Sequence, residues 1–197
     1  MIKAFSRSAT ANRGEVFLGR RPPHRPAPSA VRVLFAKTSK ALVRLNEMLR
    51  DRSVKKIYWV DNGEHSGRTG GYAPSLDDAR RQDQPGTRLA SPRGDAKEAV
   101  LRYRLLGGSK NYRLLEVELI TGRHHQIRCQ LAKAGCPLKG DLKYGAPRSN
   151  PGGGISLHSR SLSFVHPVRR EPLTITAPVP KEDSLWSFFE KSQGGDE

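Results

Sequence analysis

With 197 residues the chain is long enough for one domain with a substantial core. Lys and Arg number 35 against 19 Asp and Glu, an excess of 16 that points to an acidic partner, most simply a nucleic-acid backbone, with a bland basic surface as the alternative. No apolar run reaches membrane-spanning length and the N-terminus has no continuous apolar signal core. The two cysteines, Cys129 and Cys136, make neither a disulfide framework nor a paired C-x-x-C zinc site, so a soluble, cytoplasmic protein with reduced thiols is expected.

In chain order, Met1 to Leu18 reads as a short helix around Ile2–Phe5 and then a strand start at Val16–Leu18. Gly19 to Arg32 holds four prolines and no alternation, which reads as an extended basic linker able to contact RNA. Val31–Ala36 has a buried-strand pattern. Thr38 is placed to cap a helix running to about Arg50, with Leu42, Leu45 and Leu49 on its inner face. Arg52–Val60 is the next strand. Residues 61–95 are rich in Gly, Ser, Arg and Asp without hydrophobic periodicity, and read as an irregular loop or insertion. Glu98–Leu106 and Tyr112–Leu119 alternate around Gly107-Gly108 as an antiparallel hairpin.

After a turn at Thr121-Gly122, a helix is expected to carry His125, Ile127, Arg128 and Leu131 until Gly135 and Pro137 stop it. Gly140–Gly145 reads as a turn and Ala146–Gly154 as a polar loop. Ile155–His158, Ser161–Val165 and Pro172–Ala177 read as closing strands, and Lys181–Ser184 precedes an amphipathic helix with Leu185, Trp186, Phe188 and Phe189. Crowding Arg and His into the first turn of the 125–131 helix opposes the helix dipole. That suggests cations aimed at phosphate or carboxylate, or else a solvated basic helix start. The pair His124-His125 does not read as a metal site, since neighbours on a helix point about 100° apart and no carboxylate follows at i+4. No Gly-x-Ser-x-Gly elbow supports a serine hydrolase.

Thr121-Gly-Arg-His-His-Gln-Ile-Arg128, Gly135-Cys-Pro-Leu-Lys-Gly-Asp-Leu-Lys-Tyr-Gly145, Leu157-His-Ser and Phe164-Val-His-Pro167 together resemble the RluA-type RNA pseudouridine synthases in order and spacing. The similarity covers roughly residues 31–60 and 97–190. It implies an α+β fold, a largely antiparallel sheet with flanking helices and a central cleft, over one catalytic domain spanning residues 1–197. It implies an RNA partner, ribosomal or transfer RNA, with no cofactor, no metal and a monomeric state. By the same resemblance Arg128 supplies the cation beside a catalytic carboxylate, and Tyr58, in Lys56-Ile-Tyr58, packs against the target base and could accept a proton. Leu157 forms an apolar pocket wall, while Arg123, Lys143 and Lys56 contact substrate.

Two departures stand out. Family members usually begin earlier, with a strand holding a Lys-Pro pair, so the chain is expected to be shortened at its start. More serious, the family's loop of the form His-Arg-Leu-Asp, which carries the essential aspartate, falls within residues 19–32. There His24-Arg25 is followed by Pro26 and Ala27, and no acidic residue lies between Glu15 and Glu47. Codons for Val-Val-His-Arg-Ile-Asp-Arg, read in another frame after GGCC, encode Gly-Arg-Arg-Pro-Pro-His-Arg-Pro, which is Gly19 to Pro26. A reading-frame slip repaired before Leu34 is one account, and decay into a pseudoenzyme is its rival. The gene's nucleotide sequence across this stretch decides between them. The expected function is therefore an RluA-type RNA pseudouridine synthase, this copy inactive if nothing replaces the carboxylate, or else a non-catalytic RNA-binding or ribosome-associated protein of the same fold.

Overall fold

The computed structural model describes residues 16–20, 32–63, 87–89, 97–109, 111–151, 153–180 and 183–193. The helix expected around Ile2–Phe5, the proline-rich stretch from Arg21 to Val31 and most of 61–95 lie outside them.

Nine strands and three helices make an α+β architecture among the described residues. β1 (Val16–Arg20) pairs antiparallel with β2 (Arg32–Ala36), so Gly19 and Arg20 close a strand instead of opening a linker. β4 (Thr87–Leu89) pairs with β5 (Lys97–Ala99), which puts a short strand inside the stretch expected to be irregular. The main sheet is antiparallel in the order β6-β7-β3-β8-β9, formed by β3 (Lys55–Asn62), β6 (Leu101–Gly108), β7 (Arg113–Leu119), β8 (Leu157–Val165) and β9 (Pro172–Thr176). β8 joins two segments that sequence periodicity separates. The reason is a one-residue bulge against β3: Tyr58 faces Ser159 but Ile57 faces Ser161, leaving Arg160 unmatched.

β3 lies at the centre and alternates between two cores. On one face Tyr58 and Val60 meet Leu101, Tyr103, Leu115, Val117 and, from helix α2 (Gln126–Lys133), Ile127 and Leu131. On the other, Ile57 and Trp59 meet Leu114 and Val179, with Trp186 and Phe189 of α3 (Ser184–Gln193). Arg160 fastens α3 to this side: its guanidinium lies 4.2 Å from the Trp59 ring centroid and donates to Glu190 Oε1 at 2.8 Å. A third cluster joins Leu45 and Val54 to Phe164.

Helix α1 (Ser39–Arg50) starts where Thr38 Oγ1 accepts the Ala41 amide at 3.2 Å, a cap worth about 1 kcal/mol. Its inner face is not the expected one. Ala41 and Leu45 are buried, but Leu42 and Leu49 are each about half exposed. Both candidate stripes contain Leu45, and the small Ala41 lets the helix sit down on the other side of it.

Candidate active site

The site grows out of the connection between β7 and α2. Thr121 Oγ1 accepts the Val100 amide at 2.7 Å, and Gln126, 2% exposed, folds back over the turn. Its Oε1 accepts from Thr121 Oγ1 at 2.8 Å and from the Arg123 amide at 2.9 Å, while its Nε2 donates to Val100 O at 3.0 Å. This clamp fixes where α2 begins. The helix starts at Gln126, one residue later than the basic run suggests. His125 stands before it in the left-handed region, φ 54° and ψ 22°, with no side-chain cap. A non-glycine residue held there is strained by about 1 kcal/mol or more, so its neighbours must hold it.

Those neighbours form a connected network. Arg128, in the first turn of α2, donates from Nε to Asp141 Oδ2 and from Nη2 to Asp141 Oδ1, both at 2.6 Å. Its Nη1 lies 2.9 Å from His125 Nε2, and His125 Nδ1 lies 3.1 Å from the Tyr144 hydroxyl. The Arg128 guanidinium also lies 4.9 Å from the Tyr144 ring centroid, with Lys143 Nζ at 5.8 Å. The hydrogen bonds that Arg128 donates to Asp141 push its pKa above its already high ordinary value, so its charge is permanent.

Asp141 is 1% exposed and both of its oxygens are engaged. The family aspartate missing from residues 19–32 does not leave Arg128 without an acid: Asp141 meets it in a fork-to-fork pair that balances the guanidinium charge. The carboxylate reaches it because the segment from Leu138 to Ala146 is tightly wound, Ala146 N and Tyr144 N both donating to Asp141 O at 3.0 Å. Gly140 makes that winding possible. It adopts φ +83°, and a Cβ there would come within 2.5 Å of Gly154 O. The turn expected at Gly140–Gly145 contains a short 3-10 helix, Leu142–Tyr144.

The other sequence-derived residues are distributed unevenly. Tyr58 and Leu157 pack against the same core cluster as Ile127 and Leu131, so strand β3, the start of β8 and helix α2 are brought together there. Burial pushes the Tyr58 phenol pKa upward, which keeps it neutral and makes it a poor resting base. Lys143 stands on the network's rim. Arg123 is exposed and donates from Nε to Glu98 O at 3.2 Å, which ties it to β5. Lys56 is half-buried on β3, its pKa lowered by desolvation and then by Arg52. Asp141, His125 and Tyr144 carry the network yet had no role assigned from sequence. The Gly140-Asp141 and Tyr144-Gly145 pairs within one resembling block were the available signal. Among the described residues no group of three or more His, Cys, Asp or Glu could hold a metal ion, and no helix is long and apolar enough to cross a membrane.

Comparison with known proteins identifies the family and the fold. The family model for RNA pseudouridylate synthase matches residues 32–133, which include Tyr58 and Arg128. An uncharacterised RNA pseudouridine synthase of Synechocystis is 35% identical over 155 residues, covering 75% of this chain and 46% of the relative. The ribosomal large subunit pseudouridine synthase D of Xylella fastidiosa is 35% identical over 166 residues, covering 76% and 48%. Among solved structures, human RNA pseudouridylate synthase domain containing 4 superposes with a TM-score of 0.64 at 17% identity. The match covers 97% of this chain and 94% of that one, and it establishes likeness of fold. The chain belongs to the RNA pseudouridylate synthase family. It spans about half the length of the curated relatives it matches.

Proposed function

We propose that the chain is an RNA pseudouridine synthase of the RluA type acting on structured RNA, most simply ribosomal RNA, as a single catalytic domain. The reaction breaks the N1–C1′ bond of a uridine, turns the base and rejoins it through C5 with loss of the C5 proton. The target base must leave its stack, so a basic surface, a packing aromatic and an ionised carboxylate are required. The observation that carries the reading is the Arg128–Asp141 pair anchored on α2, the helix whose Ile127 and Leu131 pack in one core cluster with Tyr58 and Leu157. A guanidinium held there would keep a carboxylate ionised by stabilising its charged form. Tyr58, neutral, would pack against the everted base as an apolar and donor surface. Lys143, Arg123 and Lys56 would meet phosphates, consistent with a net charge of +16.

A second reading keeps the RNA and drops the chemistry. Asp141 is almost wholly buried with both oxygens bonded, and residues 19–32 supply no acid. A non-catalytic RNA-binding protein of this fold fits those two facts. Pseudouridine mapping on RNA from cells with and without the gene separates the two. A modification that vanishes with the gene and is restored by wild type supports the enzyme, and Asp141→Asn then tells whether that carboxylate is needed. An unchanged map, with RNA affinity that falls steeply with salt, supports the binder.

A further inference from the structure

His125 joins Arg128 to Tyr144, and the chemistry of the three groups fixes the direction of both contacts. A guanidinium has only donors, so His125 Nε2, 2.9 Å from Arg128 Nη1, must offer its lone pair. A neutral imidazole then carries its proton on Nδ1, and at 3.1 Å that N–H donates to the Tyr144 oxygen. The Tyr144 hydroxyl, having accepted, keeps its own hydrogen for something else. Among the described residues no acceptor for it is found. Lys143 and Arg128 both lie against the Tyr144 ring, and Asp141, the nearest acid, is already neutralised. An acceptor arriving there enters positive surroundings.

We propose that His125 is a positioning residue. Pinned by Arg128, it holds Tyr144 so that the phenol donates a hydrogen bond to a phosphate oxygen of bound RNA. The backbone supports this: His125 is kept in a strained left-handed conformation where its ring meets both partners, and the exposed His124 ring stacks on it at 3.8 Å. The charged and titratable groups facing His125 are Arg128, Lys143 and His124, opposed by Asp141. Burial first, and then Arg128, His124 and Lys143, lower the imidazole pKa and keep the ring neutral. Protonation would place an N–H on Nε2 against the Arg128 donors and break the relay.

The inference rests on the RNA-binding reading, and the two can fail separately. In the full chain labelled with 15N-histidine, long-range 1H–15N correlation should show His125 as the neutral Nδ1–H tautomer at pH 7. An Nε2–H tautomer, or a protonated ring, overturns the relay without reference to RNA. Fluorescence anisotropy with two structured RNA hairpins of unrelated sequence tests the rest. Tyr144→Phe should bind both about tenfold more weakly, the size expected for one hydrogen bond to a charged acceptor. His125→Asn should bind close to wild type, because its amide N–H can replace Nδ1–H and Asn tolerates the left-handed region. His125→Gly, relieved of strain but lacking the donor, should fold at least as stably and bind as weakly as Tyr144→Phe. If Tyr144→Phe binds like wild type, the inference falls and the RNA reading stands. A loss confined to one hairpin would mean a base contact and overturn the phosphate assignment. If the wild-type chain binds neither hairpin, the RNA reading fails and the inference with it.

Discussion

Two buried aspartates meet one short loop from opposite sides and end in different electrostatic states. Asp141, on the α2 side, gives both oxygens to a guanidinium at 2.6 Å. Asp61, on the α3 side of β3, is equally buried at 1% exposed, yet neither oxygen accepts a hydrogen bond among the described residues. Its nearest cation, Lys139, stands 3.8 Å away and bonds instead to Asp183 at 2.9 Å. Desolvation, partly offset by Lys139 and reinforced by Asp183, pushes the Asp61 pKa up to about 7. Burial alone therefore does not fix the surroundings of an acid; the donors that reach it differ, and at Asp61 desolvation is left largely uncompensated. Lys139 offers a point charge shared between two acids, whereas Arg128 offers a planar fork given to one.

The comparison can be broken at Arg128 first. Arg128→Ala leaves Asp141 buried without its partner and should destabilise the fold by about 3–5 kcal/mol in urea titrations. Arg128→Ala combined with Asp141→Ala should recover part of that loss. A single variant as stable as wild type would show that the pair contributes nothing to the fold.

The opposite sign is expected at Asp61. Its folded-state value lies above its ordinary 3.8, so the unfolded chain gives up the proton first as pH rises. Stability is greatest at low pH on this account and declines from about pH 4 to about pH 7. From 3.8 to about 7, at about 1.4 kcal/mol per pKa unit, the full penalty is about 4 kcal/mol. Asp61→Asn removes the titration. Its stability relative to wild type should improve by about 2–3 kcal/mol between pH 5 and pH 8. A difference that stays constant with pH would mean Asp61 is ionised throughout.

The smallest effect sharpens the sharing argument. Asp183 also accepts the Leu185 amide at 3.0 Å at the start of α3, a job asparagine does as well. Asp183→Asn should leave Lys139 to Asp61 alone and move the pH-dependent step toward lower pH. Its effect on stability at neutral pH should be under about 1 kcal/mol, since Asp183 is partly exposed. An unmoved step would mean that Asp183 does not compete.

Much of the strand layout was legible because alternation and paired burial coincide, as on β6 and β7. The Thr38 cap was legible because it is local. What escaped was tertiary in origin. Leu42 and Leu49 form as regular a stripe as Ala41 and Leu45, and only docking decides between them. Arg128 could be singled out by its block, but its acid lies thirteen residues on, across a loop whose winding depends on Gly140. Asp61 resembles an ordinary polar strand end until α3 covers it. The start of α2 was read one residue early because the clamp that sets it belongs to Gln126 and Val100.

The unmatched residue in β8 acts as a phase reset. Up to Ser159, odd-numbered positions look toward the α2 side. Past Arg160 the even-numbered ones do, which brings Leu162 and Phe164 to Leu45 and Val54. Were Arg160 instead drawn into the ladder opposite Ile57, alternation would be strict along the whole strand and Ser163 would take the place of Phe164 in that cluster. The strand would then have to abandon either Leu157 beside Tyr58 or the seat of helix α1, so the integrity of the two sites hangs on a single irregularity in pairing.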